Sequence, residues 1–167
     1  MSMIDGVVDR LVALQPTYKQ VAEPVETFGY ALVALWCRLW LAWIFFGAGM
    51  TRWNSWGSQD YLFSTEHPLP ILPPIWWATI TTAAELLLPV LLVLGFAGRL
   101  GALGVLAMAC VIQFYIGIVF AVDDFGDPTG YYNVVHYYWM VMALVIITKG
   151  SGLLSIDAYL SHRVKTG

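Results

Sequence analysis

Residues 75–96 read IWWATITTAAELLLPVLLVLGF. One charge, Glu85, and one proline, Pro89, interrupt a run that is otherwise apolar or small. A bilayer's hydrocarbon core is about 30 Å thick and takes roughly 20 residues of helix to cross. The stretch has that length and that composition. Pro68, Pro70, Pro73 and Pro74 stand before it, where proline suits a loop or a helix's first turn and not its interior. Residues 95–98, GFAG, leave room after it for a tight turn.

Working outward, three more stretches fit the same description. Residues 30–50 contain one charge, Arg38; residues 100–122 contain Gln113; residues 134–148 contain His136 and lengthen if Tyr131 and Tyr132 are counted. The tight turn makes the second and third stretches antiparallel neighbours. The third connection holds Asp123, Asp124, Gly126, Asp127, Pro128 and Gly130, all turn or solvent residues. The expected fold is all-α, an integral membrane antiparallel four-helix bundle. Bulk composition agrees: 59% of the chain is apolar and 11% charged, against about 45–50% and about 25% in soluble domains. A net charge of −3 without a basic stripe argues against nucleic-acid binding. Cys37 and Cys110 lie in apolar stretches and have neither a CxxC pairing nor a metal-ligand spacing.

Residues 1–25 form a separate N-terminal segment. Ile4, Val7, Val8, Leu11, Val12 and Leu14 follow helical spacing with Asp5, Asp9 and Arg10 between them, the pattern of an amphipathic interfacial helix or of a helix packed on a partner. The bundle domain then occupies residues 26–160, and 161–167 form a tail. Basic residues set the orientation. Arg10, Lys19, Arg99, Lys149, Arg163 and Lys165 fall on one side and Arg52 alone on the other. Both termini are therefore expected in the cytoplasm, with the long first loop outside. Trp53, Trp56, Trp76, Trp77, Tyr131 and Tyr132 would form an aromatic belt at that outer interface.

An ionisable group at bilayer depth costs about 2.5–3.5 kcal/mol on insertion scales, so it is expected to face protein and find a partner. At about 1.5 Å rise per residue, Arg38 lies roughly 12 Å and Glu85 roughly 15 Å from the inner ends of their spans. The expectation is that they pair. On the same scale His136 and Gln113 lie roughly 18 Å and 21 Å deep, which gives one polar residue per helix near the midplane. Arg38, Gly49 and Arg52 share one stripe of the first helix; Thr81, Thr82, Glu85 and Pro89 share one of the second. Pro89 also frees the backbone carbonyl of Glu85. The layer reads either as an ion pair fixing helix register or as a functional polar pocket. His136 reads as a hydrogen-bonded interface residue, a quinone or substrate contact, or, with Met140 one turn below it, a soft metal ligand. Haem and copper are disfavoured, because the other histidines, His67 and His162, fall in a loop and the tail. No metal site is expected. Ser155 is expected to cap a short helix beginning at Ile156; Asp157 either favours that helix's dipole or pairs with Arg99.

Three groups of these residues resemble the DoxX family of small four-helix membrane proteins. They are Arg38 with Phe45-Phe46-Gly47-Ala48-Gly49; Glu85-Leu86-Leu87-Leu88-Pro89 running into Leu94-Gly95-Phe96-Ala97-Gly98-Arg99; and His136 to Trp139 followed by residues 150–157, GSGLLSID. The sequence departs from the family's pattern at Arg52, where a lysine is usual, and at Ser151, where a proline is usual. The resemblance implies a prokaryotic inner-membrane protein, the membrane subunit of a quinone-linked redox system connected with sulfur, thiol or oxidative-stress chemistry. Quinone would be the cofactor, with Glu85 and Arg38 as catalytic residues and His136 and Gln113 binding it. A soluble redox partner or a homo-oligomer is implied as well. The alternative is a non-catalytic membrane anchor or assembly subunit that recruits a soluble enzyme. A monomeric transporter is disfavoured by the absence of an internal repeat.

Overall fold

A computed structural model describes residues 3–116 and 131–166. Helix α1 (Met3–Asn54) is followed by one turn of 3₁₀ helix (Trp56–Ser58) and the short α2 (Gln59–Thr65). Then come α3 (Pro74–Leu94), α4 (Gly98–Cys110) continuing as a π-helical stretch (Val111–Ile116), α5 (Tyr131–Lys149) and α6 (Ile156–Thr166). Among the described residues every element is helical. The continuation of the third stretch to residue 122 and the acidic loop with Asp123, Asp124 and Asp127 lie outside the described residues.

Local chemistry places the helix ends. Pro73 precedes α3 in extended geometry and Pro74 occupies its first turn, where the missing amide costs nothing. Gly95, at φ 61°, closes α3 in the left-handed conformation that residues with a Cβ resist. In the first connection the sequence suggested only a loop; Phe63 and Gln59, both buried, fold it into α2, which packs on α3. The sequence also suggested a break between an N-terminal surface helix and the first span. The structure has none: α1 is one helix of 52 residues, passing through Pro16 and Pro24.

Packing joins α1 to α3, α3 to α4, α4 to α5 and α5 back to α1, a closed ring of four long helices. The core is lined with small residues. Ala34, Ala78, Ala102, Ala109 and Ala143 are fully buried, with Leu41, Leu92, Val105 and Ile146 filling between them. Large apolar side chains face outward instead: Trp43, Leu87 and Leu100 are 81%, 66% and 67% exposed. Without a hydrophobic drive between helices, membrane bundles use small residues for close approach and leave bulky ones to lipid. Three of the helices are long and apolar enough to cross a membrane (Val12–Asn54, Pro74–Leu94 and Gly98–Ile116), and Val135–Lys149 is a shorter apolar helix. At the long-loop end Trp53 and Trp76 are exposed, while Trp77 is half-buried and donates its indole N–H to the Pro70 carbonyl at 3.0 Å.

Helix α1 packs closely against α3 at Gly49. A Cβ added there would meet the Glu85 Cβ at 2.9 Å, whereas one added at Gly47 meets nothing within 4 Å. Gly49→Ala should therefore destabilise the protein by about 1–3 kcal/mol through overpacking. Gly47→Ala should leave stability unchanged or raise it by up to about 1 kcal/mol from helix propensity. Thermal unfolding of both variants in mild detergent, followed by far-UV circular dichroism, checks the contrast.

Candidate functional site

Arg38 and Glu85 are both buried, at 1% and 2% exposure, but they do not pair. Arg38 donates Nη1–H to the Ser151 carbonyl at 2.8 Å and Nη2–H to the Leu154 carbonyl at 2.7 Å. Glu85 instead has Arg52 Nε 2.9 Å from its Oε2, off the line of a hydrogen bond. Side-chain direction explains the correction. Every Cα–Cβ bond of a helix tilts toward that helix's N-terminus. On α1 both arginines reach toward Met3, so Arg38 reaches away from Glu85 and Arg52 reaches back to it. On the antiparallel α3, Glu85 leans toward Pro74, into Arg52. Gly49 packs on Glu85, so Arg38 lies eleven residues, or roughly 16 Å, farther along α1.

At the tight-turn end, the arginine belongs to a knot of hydrogen bonds that uses both of its Nη atoms. Gly150 and Gly152, at φ 93° and 76°, turn the chain after α5 so that its carbonyls face Arg38. Asp157 accepts the Ala97 and Gly98 amides at 2.8 and 3.0 Å and the Ser151 hydroxyl at 2.9 Å. Ser155 caps α6, as expected, accepting the Ala158 amide at 3.1 Å. Asp157, for which the sequence suggested its own helix or Arg99, serves the N-terminus of α4. Burial works against its charge. The Gly98 amide, Ser151 hydroxyl, Ala97 amide and Arg38 guanidinium outweigh that and hold the carboxyl below its ordinary value.

His136 and Gln113 do meet: His136 Nδ1 lies 3.0 Å from Gln113 Oε1, and both are buried. An amide oxygen only accepts, so Nδ1 carries the proton in this bond. Gln113 sits in the π-helical stretch, and π-turns inside helices recur at functional positions. Trp139 stands edge-on to His136 at 4.8 Å and to Phe45 at 5.4 Å. The expected single midplane layer is thus three separate groups: Arg38 with the closing loop, His136 with Gln113, and Glu85 with Arg52.

The third group is the least satisfied: Arg38 Nε also lacks a hydrogen-bond partner among the described residues, but both Nη atoms of that arginine are used. Arg52 Nη1, Glu85 Oε2, His67 Nδ1 and Thr82 Oγ1 are all buried, and none has a hydrogen-bond partner among the described residues. Arg52, Glu85, His67 and Thr81 line a cavity of about 180 Å³ whose other walls are apolar, including Phe63, Trp77 and Met108. A cavity of roughly 150 Å³ holds a benzene, so this one has room for a single ring. Phe63 fixes two of the polar groups: the Arg52 guanidinium lies 5.2 Å from its ring centre and the His67 ring 5.9 Å. Burial first and the Arg52 charge second lower the His67 pKa, against a smaller pull from Glu66, so the imidazole is neutral at pH 7. Neither Arg38, His136 nor Gln113 lines this cavity. Sequence reading assigned Arg52 to the outer loop and set His67 aside. The available signal was the stripe that Arg52 shares with Gly49, one turn from Glu85.

The knot yields a test of its own. Asp157→Asn removes charge-assisted bonds, each of a kind that contributes about 1.5–3 kcal/mol. A carboxyl whose folded-state pKa is depressed stabilises above its unfolded value, about 4 for aspartate, and loses that contribution as pH falls through the folded value. The stability gap between wild type and Asp157→Asn should therefore be full at pH 7 and narrow below about pH 4, as thermal melts across that range would record.

Comparisons with known proteins cover the span in which most of these residues lie. The sequence model of the DoxX family matches residues 33–118, about half of the chain, and takes in Arg38, Arg52, His67, Glu85 and Gln113. His136 and Asp157 lie beyond the match. The chain is also 28% identical over 138 residues to an uncharacterized protein of Haemophilus influenzae, covering 80% of this chain and 86% of that one. No solved structure matches. Long apolar helices and the family match together make this chain an integral membrane protein that belongs to the DoxX family.

Proposed function

We propose that this chain is the membrane subunit of a quinone-linked redox system, and that the quinone ring is held in the cavity formed by Arg52, Glu85 and His67. One observation carries the reading: a ring-sized, largely apolar cavity lined by the Arg52–Glu85 ion pair and a neutral imidazole, with Arg52 Nη1 and His67 Nδ1 buried and without hydrogen-bond partners among the described residues. Buried polar groups without partners are costly, and a binding site is where that cost has a purpose. The residues fit the group. Arg52 Nη1–H donates to a ring carbonyl oxygen, His67 offers a second polar contact, and Phe63 and Trp77 wall the ring. The quinone, when bound, supplies the electron-accepting chemistry. Glu85 exchanges a proton with the ring oxygen, and the Arg52 charge steadies the carboxylate between transfers. His67, outside the span, links Glu85 to water at the long-loop end. Arg38 has no part in this chemistry; it does not line the cavity, and both of its Nη atoms are committed to the closing loop. His136 and Gln113 hold α4 to α5 behind the cavity.

The remaining architecture follows the same reading. All four long helices cross the membrane, with the termini and the tight turn in the cytoplasm and the cavity toward the outer face of a prokaryotic inner membrane. The electrons would come from a soluble partner, in keeping with the sulfur, thiol or oxidative-stress role that the family suggests. The cavity favours this over a purely structural anchor, which has no need for unsatisfied polar groups around a void.

Purified protein in lipid nanodiscs should bind a short-chain quinone with quenching of tryptophan fluorescence, Trp77 being in the cavity wall. Arg52→Met and His67→Ala should each weaken binding by about tenfold or more, the equivalent of one lost hydrogen bond of about 1.4 kcal/mol or more. Arg38→Lys should leave affinity unchanged in protein that remains folded. If the wild-type protein does not bind the quinone, or both cavity variants bind it normally, the reading fails.

A further inference from the structure

Helix α1 is far longer than a membrane requires. Its 52 residues rise about 78 Å, whereas hydrocarbon accounts for about 30 Å. The surplus is not uniformly polar. Ile4, Leu11, Tyr18, Val25, Leu32 and Leu39 recur at every seventh position, and Val7, Leu14, Val21, Phe28 and Leu35 follow each of the first five by three. These are the a and d positions of a heptad repeat, kept without a break from the N-terminal segment into the membrane. The charged residues from 3 to 29 all fall elsewhere: Asp5, Lys19 and Glu26 at b, Asp9 and Glu23 at f, and Arg10 at g. Pro16 and Pro24, at f and g, are off the seam too.

Among the described residues the stripe is largely exposed. Leu14, Tyr18, Val21, Val25, Phe28 and Leu32 are each more than 60% exposed. A strict seven-residue repeat drifts about 20° per heptad around a straight helix. It stays in contact only with another helix that supercoils around it; a flat lipid surface would lose it over several turns. A second feature of the folded chain points the same way. Leu32, Leu35, Trp36 and Leu39 rim a concavity on the outer face of α1, joined by Val33. In the register above these are a, d, e and the next a, the four residues that make the socket for a d-position side chain of a parallel neighbour. A second copy of this chain in the same membrane is necessarily parallel and at the same height, so its Leu35 is the side chain presented to that socket.

We infer that two copies of this chain associate through a parallel coiled coil along α1, from Ile4 to Leu39. The inference is independent of the quinone reading, because it rests on the exposed stripe from Ile4 to Leu39 and not on Arg52, Glu85 or His67.

Disulfide trapping in native membranes tests it. In full-length protein with Cys37 and Cys110 replaced by alanine, Leu14→Cys places a thiol on the seam and Lys19→Cys places one off it. On oxidation, Leu14→Cys should give a band of twice the monomer mass, several-fold stronger than that of Lys19→Cys and insensitive to expression level. Leu35→Cys should do the same within the membrane, and adding Tyr18→Asp and Val25→Asp should reduce its yield several-fold. Equal yields at positions 14 and 19 overturn the proposal. So does absence of the Leu14 cross-link, a cross-link to a protein of another size, or an environment-sensitive label at Leu14 that reports burial in lipid.

Discussion

A charge taken into hydrocarbon has to be met within the reach of its own side chain, and that constraint organises this protein. Reach is directional. The tilt of Cα–Cβ bonds sends the arginines of α1 toward one end of the bundle and Glu85 of α3 toward the other. Arg52 and Glu85 therefore lean into each other across the Gly49 contact, while Arg38 has to be answered by carbonyls brought up beneath it. Glycine at position 49 is what permits the first meeting, since α1 could not lie that close to Glu85 with a Cβ in between.

The two ends of the bundle are consequently built on opposite principles. At the tight-turn end, turns at Gly95, Gly150 and Gly152 aim backbone groups inward, and Asp157 spends both oxygens on the start of α4. Networks satisfied in this way rigidify the structure around them. At the long-loop end, Arg52, Glu85 and His67 surround a void among largely apolar walls, with Arg52 Nη1 and His67 Nδ1 left without hydrogen-bond partners among the described residues. The short α2 makes that end possible, for it carries Phe63 beneath both Arg52 and His67.

Much of the fold was legible in the sequence because membrane spans declare themselves by length and apolarity. The antiparallel pair α3–α4, the Pro73–Pro74 start and the Gly95 stop all followed from residue types with one structural meaning each. Depth arithmetic placed Gln113 and His136 only in a common layer with Arg38 and Glu85; the structure brings these two into contact. The Arg38–Glu85 pairing failed because comparing Cα heights ignores where a side chain leans, and a second arginine lay on the same stripe. His67 was invisible for another reason: a histidine in a proline-rich loop carries no periodic signal, and α2, whose burial of Phe63 draws it in, is too short to announce itself. The continuity of α1 was hidden because the charges among Ile4 to Leu14 mark an interfacial helix distinct from the apolar span, yet one helix carries both.

Arg38 meets its carbonyl partners across 113 and 116 residues of chain. During synthesis its guanidinium is thus committed to the bilayer long before residues 151 and 154 exist. For that interval the first span holds an uncompensated cation, and nothing in its own hairpin relieves it. Closure of the ring is thereby made to wait for the completed polypeptide. A ribosome that stalls within α5 leaves behind an open, charge-bearing intermediate, the kind of species that membrane quality-control proteases can distinguish from a finished subunit.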